Sequence, residues 1–387
     1  MIDPIELSRL LKQKFPPTPQ QAAVIGAELG PMLVVAGAGA GKTETMAARV
    51  VWLVANNMVD PDRILGLTFT RKAAQQLSQR IRGRLEQLAG MDALKDIDPS
   101  GELSHKLEAI APTVSTYDSY AGSLISEYGL LLPVEPSSRL ITETELFQIA
   151  YDIVINYSGA LDAQTQPVSA TEKLLSLVSD MDNHIVSPQD IVEETDAFLS
   201  VLDDVEATSK RGLNQTLIGW KQRQIIRKQM LPMVAMLKQH LAQNNLMTFG
   251  EQMSLAARLA EENPQVGASQ RDRYSVVMLD EYQDTGHAQR VLLRSLFSGA
   301  AVTAVGDPMQ SIYGWRGATS ANLERFREDF ALGDDLAQKR ELTVSFRNPP
   351  EVLQLANEVS REVLAPRIIL AEQYSRSLPV KVPHTGK

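Results

Sequence analysis

The sequence predicts an α/β fold, a parallel sheet flanked by helices and interrupted by a block that is helical throughout. Three observations carry this. Residues 32–50, MLVVAGAGAGKTETMAARV, read as a buried strand, a glycine turn and a helix. Two later apolar runs, 275–279 and 301–305, stop at Asp280-Glu281 and Gly306-Asp307, like parallel strands whose carboxyl ends open on a crevice. From about residue 131 to 245, long amphipathic patterns run with almost no strand signal.

The chain of 387 residues suggests two or three domains, and its hydrophobic fraction of 44% is that of an ordinary globular protein. With no cysteine, disulfides, thiol catalysis and cysteine-ligated zinc are excluded. The amino-terminal residues carry an early acid and no signal-peptide core, and no apolar run approaches the roughly 20 residues that span a bilayer. A cytoplasmic location and no membrane partner are therefore expected. The net charge of −9 argues against coating nucleic acid by bulk electrostatics and leaves room only for a local basic groove.

Taken in order, residues 15–24 are a proline-stiffened entry into a helix, with Gln20 near its start. A glutamine amide there can pair with an adenine edge through one donor and one acceptor. Residues 32–35 form the first strand. Then come Ala36, Gly37, Ala38, Gly39, Ala40, Gly41, Lys42 and Thr43, a variant of the phosphate-loop spacing with alanine in place of its first glycine. The glycines let backbone N–H groups face phosphates, and the helix N-terminus adds partial positive charge. Lys42 would reach the β- and γ-phosphates, and Thr43 would hold Mg²⁺. Met46, Val50, Leu53 and Val54 fall on one face of the helix that follows.

Residues 64–69 read as the next strand, followed by a helix with Leu77, Ile81, Leu85 and Leu88 on its apolar face. Arg80, Arg82 and Arg84 on that helix read as a solvated face. Residues 91–112 look like a polar insertion, and 113–120 like a strand running into a helix. After the helical block the strands at 275–279 and 301–305 resume the sheet. Residues 332–338 read as a hinge, and 342–346 as the opening strand of something new.

Two adjacent acids at a strand end suit a metal-dependent phosphate reaction. Asp280 would hold Mg²⁺ through its water shell, and Glu281 would take a proton from the attacking water. The full string LDEYQDT makes the chain resemble the superfamily 1 DNA helicases of the UvrD/Rep/PcrA type. The matching segments run in family order: PTPQQAAV around Gln20, AGAGAGKT, TFTRKAA, a weaker VSTYDSYA, LDEYQDT, VGDPMQSIYGWRGA and LTVSFRN. The wording is most similar to actinobacterial members, including the AdnA/AdnB-type helicase–nuclease subunits.

The resemblance implies a RecA-like P-loop NTPase core at 1–130 and 247–335, an all-helical insertion at 131–246 and an incomplete start of a second RecA-like domain at 336–387. It implies ATP and Mg²⁺ as cofactors, and 3′–5′ movement along single-stranded DNA or at duplex/single-strand junctions. Phe346 would stack on adenine, Gln310 would couple the γ-phosphate to the DNA groove, and Arg347 would meet the γ-phosphate. Phe69, Tyr313, Trp315 and Arg316 would contact single-stranded DNA. Asp118 stands where the family has histidine, so no DNA contact is carried over to it. The family's later motifs have no counterpart, so the chain is expected to be the front half of such a helicase and to work poorly alone. The alternative is a non-enzymatic ATP- and DNA-binding subunit beside a partner helicase or nuclease.

Overall fold

In the computed structural model of the protein, residues 1–90, 111–132, 137–161, 166–208, 212–319 and 321–364 are described, with residues 101, 107 and 135 besides. The chain divides into two compact units, one comprising 1–120, 260–286 and 290–387, the other 121–259 and 287–289.

The first unit holds the sheet. Its strands are β1 (Met32–Ala36), β2 (Ile64–Thr68), β3 (Thr113–Thr116), β4 (Val276–Leu279), β5 (Ala301–Gly306) and β6 (Gln338–Leu342). They lie in the order β3-β2-β4-β5-β1-β6, and every pairing is parallel. β1, β2 and β4 are buried along their whole length, which is why they read as continuous apolar runs rather than alternating ones. The register pairs Val35 with Gly306 and Leu279 with Ala304. The chain therefore leaves β4, β5 and β1, three neighbouring strands, at one edge and nearly one level.

The strand expected at 342–346 lies earlier, at Gln338–Leu342, and it extends the first sheet beside β1 instead of opening another. The reason is that QKREL is charged and occupies the sheet edge, where such residues are tolerated, so no apolar run marks it. Most of the insertion expected at 91–112 lies outside the described residues.

Helices α1 (Pro4–Leu10), α2 (Pro19–Ile25), α3 (Lys42–Ala55) and α4 (Arg71–Ala89) complete the part of this unit that matters for the site. Thr18 and Gln21 cap α2 reciprocally, each side chain taking the other's backbone N–H. In α3, Met46, Val50, Leu53 and Val54 are buried with Met32 and Val34 of β1, and Leu77, Ile81, Leu85 and Leu88 of α4 join the same core.

Arg49 of α3 is buried, yet its guanidinium donates to the carbonyls of Val24, Ile25, Ala27 and Glu28, the frayed end of α2. It thereby supplies donors at the helix C-terminus, where intrahelical partners run out.

The second unit is built from helices Glu143–Asn156, Pro167–His184, Pro188–Thr208 and Gln215–Gln243. Leu174, Val178, Met181, Val234, Leu237 and Leu241 form its core. A two-residue parallel ladder, Arg139–Leu140 with Leu246–Met247, is its one departure from the helix-only reading among the described residues. Among the described residues no helix is long and apolar enough to cross a membrane.

Candidate functional site

Ala36 is the last residue of β1 and fully buried, so the loop begins one residue later and the first position of its motif needs no glycine. Gly39 and Gly41 take left-handed φ values of 77° and 79°. A Cβ on Gly39 would also meet Arg347 Cβ at 2.6 Å and Ser345 Oγ at 2.7 Å. Gly41 starts α3, so the first-turn N–H groups of Lys42, Thr43 and Glu44 have no acceptor within the helix and can serve an anion.

Across from the loop, Asp280 leaves β4 with only 3% of its surface exposed. The Thr43 hydroxyl donates to its Oδ2 at 3.4 Å, and the Glu281 N–H donates to its Oδ1 at 3.0 Å. Burial pushes the Asp280 carboxyl up to about 6, helped by the Glu281 charge and opposed by Lys42. Asp284 is likewise pushed up to about 6 by burial and by Glu281, and burial raises Asp307 as well. Lys42 lowers all three, so the loop lysine and the acids share one electrostatic environment.

This arrangement suits a hard divalent cation. A hydroxyl and a carboxylate converge, negative charge is in excess, and phosphate oxygens would complete the shell. Among the described residues no group of three or more His, Cys, Asp or Glu forms a closed cage, the arrangement Mg²⁺ generally dispenses with.

Glu281 itself is held at φ 51°, a left-handed conformation uncommon outside glycine, and opens a single 3-10 turn, Tyr282–Asp284. From β5, Asp307 accepts the Met309 N–H and the Gln310 side-chain amide, the latter at 2.6 Å. Gln310 thus stands at the acid cluster.

Segment 343–347 lies along the glycine loop. Ser345 Oγ donates to Ala38 O at 2.9 Å, and Phe346 N donates to Gly39 O at 3.0 Å. Gln20 engages Thr343 through both ends of its amide, donating from Nε2 to Oγ1 and accepting the backbone N–H at 2.9 Å. One N–H of Gln20 remains for a base edge. Phe346, 59% exposed, lines a cavity of about 810 Å³ together with Gln21, Gly39, Gly41, Glu44 and Arg84. Arg347 follows it and is exposed.

Arg80 and Arg82 are exposed, as a solvated face should be, whereas Arg84 departs from that expectation. Arg80 and Arg84 pair with Glu44 in the first turn of α3, and Arg84 is largely enclosed, because α4 packs against α3.

The aromatic residues gather at the same edge of the sheet. The Phe69 and Tyr313 rings are 4.7 Å apart, and the Tyr313 and Trp315 rings 6.3 Å. Trp315 is 75% exposed and Ile312 beside it 70%. Arg316 closes the turn Gly314–Arg316, and its side chain lies outside the described part. Sequence reasoning missed Ser345, Thr343, Gln283 and Glu44. Thr343, Ser345 and Gln283 were hinted at only by their places inside matched segments, and Glu44, one residue past AGAGAGKT, had no such signal.

Residues 17–331 match the family described as the UvrD/REP helicase N-terminal domain. The chain is 27% identical over 344 residues to the ATP-dependent DNA helicase PcrA of Staphylococcus epidermidis (strain RP62A), covering 88% of this chain and 39% of that protein. It is also 27% identical over 342 residues to the protein of the same name from Staphylococcus aureus (strain Mu50), again covering 88% and 39%. The chain therefore spans about 39% of the length of the curated relatives it matches.

Proposed function

The chain belongs to the UvrD/REP helicase N-terminal family, and from that premise we propose that it binds ATP with Mg²⁺ and hydrolyses it to drive 3′–5′ movement along single-stranded DNA. The observation that carries the reading is the approach of Thr43 to Asp280, 3.4 Å, beside a loop in which Gly39 and Gly41 take left-handed backbone conformations.

In this reading Gly37 to Thr43 cradle the phosphates, and Lys42 neutralises charge on the β- and γ-oxygens. Thr43 and Asp280 would hold Mg²⁺, which when bound would screen the phosphate oxygens as a Lewis acid. Glu281 takes the proton of the attacking water as its oxygen bonds to the γ-phosphorus and the bond to the β-bridging oxygen breaks. Arg347 and Gln310 approach the γ-phosphate, which places charge stabilisation where it develops. The base lies against Phe346 with Gln20 at its edge. Phe69, Tyr313 and Trp315 offer faces on which any base stacks, as a sequence-blind motor requires.

Titration calorimetry with ATP and Mg²⁺ tests this. Wild type binds, Lys42→Ala loses most of the affinity, and Glu281→Gln binds as wild type but hydrolyses about 100-fold or more slowly. Equal ATP affinity in wild type and Lys42→Ala would rule the reading out.

A further inference from the structure

The side chain of Gln283 has no assigned role, although only 1% of it is exposed and all its amide groups are engaged. Its Oε1 accepts the Asp307 N–H at 3.0 Å, and a backbone N–H can only donate, which fixes the orientation of the amide. The Nε2 therefore faces the acids, donating to Glu281 Oε2 at 2.7 Å and to Asp284 Oδ2 at 3.2 Å. The backbone carbonyl of Gln283 accepts from Ser311 Oγ at 3.1 Å.

Room for this side chain is built in. A Cβ on Gly306 would come within 2.8 Å of Gln283 Oε1 and 2.8 Å of Leu323 Cδ2. Gly306 has no positive φ, so the glycine is there for space and not for its backbone.

We propose that Gln283 is a positioning residue: it fixes the Glu281 carboxylate and ties it to the 307–313 segment, so that the base and the aromatic strip move together. The proposal rests on Glu281 being the base, as read above. The chain of contacts is continuous. Glu281 is held by Gln283, Gln283 holds the Asp307 backbone, and Asp307 accepts from Gln310 at 2.6 Å, three residues before Tyr313. Charge-assisted hydrogen bonds such as that from Gln283 to Glu281 are the stronger and more directional kind. Without it, a carboxylate on a left-handed residue facing Asp280, Asp284 and Asp307 would swing away from like charge.

The test pairs two variants that cut different arms. Gln283→Met keeps the length and loses both arms. Gln283→Glu keeps an acceptor for Asp307 and loses the donor to Glu281. Single-turnover hydrolysis with protein in excess separates ATP affinity from the chemical step, and amide hydrogen exchange at Asp307 reads the other arm. Both variants are expected to bind Mg·ATP within about threefold of wild type and to hydrolyse it at least about tenfold more slowly. Asp307 should exchange faster in Gln283→Met and stay protected in Gln283→Glu. A wild-type rate constant in either variant, or unchanged Asp307 protection in Gln283→Met, overturns the proposal. Failure of the wild-type chain to bind Mg·ATP would instead overturn the functional reading, and the exchange arm would still decide whether Gln283 forms the bridge.

Discussion

At neutral pH the Asp280 carboxylate is charged although only 3% of it meets solvent. Its pKa, pushed up to about 6 by burial and then by Glu281, lies above the value of about 4 it has in an unfolded chain. The folded state therefore holds that proton more tightly. The stability this gives is full below about pH 4 and lost as pH rises through about 6, so the ionised group costs on the order of 2–3 kcal/mol at pH 7.5. Asp280→Asn is accordingly expected to raise the melting temperature at pH 7.5, to raise it much less at pH 4.5, and to abolish Mg²⁺-dependent nucleotide binding. Thermal melts at the two pH values, with and without Mg·ATP, check all three. Lys42 with Thr43, and Asp280 with Glu281, could be proposed from the sequence because each pair follows the end of its own strand, a local pattern. Gln283 and Ser345 could not, since a buried glutamine or serine announces itself only through partners far along the chain.

Among the elements, α2 and α3 show what the sequence conceals. The apolar face of α3 was readable, but Arg49 on that helix has no signal for burial. Its acceptors are four carbonyls, of the last two residues of α2 and of the turn after it, more than twenty positions earlier. Burial lowers its pKa to about 10, with Arg340 adding to the effect, so it remains charged at pH 7. Arg49→Met would leave those carbonyls without their donor and is expected to destabilise the protein by about 2–4 kcal/mol. Because α2 carries Gln20, ATP affinity should fall with it. Denaturant unfolding and calorimetry would show both effects together. β6 is the complementary case. Its edge position lets it be charged, so periodicity pointed to the more apolar run at its end, 342–346, of which the residues after Leu342 instead lie along the phosphate loop. Arg84 was misread for a related reason: the pairing partner, Glu44, sits on another helix.

For the molecule as a whole, the acidic balance of −9 and the proposed affinity for DNA are reconciled by concentrating contacts on a small aromatic strip rather than a broad basic surface. Trp315→Ala is expected to weaken single-stranded DNA binding by about 1–3 kcal/mol, equally for unrelated sequences, since stacking is indifferent to base identity. Fluorescence anisotropy with several labelled oligonucleotides would detect it. The fold class was readable because buried parallel strands leave unbroken apolar runs, and the helical block because its period never changes. The geometry that brings Lys42, Asp280 and Tyr313 to one edge of the sheet was not readable from pattern, since it depends on β4, β5 and β1 becoming neighbours across a separation of about 271 residues. The central claim is that one unit of this chain couples the two sites. It is tested most directly by measuring Mg²⁺-dependent ATP turnover while single-stranded DNA is titrated in. The account predicts turnover that is slow in absolute terms, as expected of a front half working alone, yet rises saturably with occupancy of the strip. Turnover that stays flat while DNA binds to saturation would contradict it.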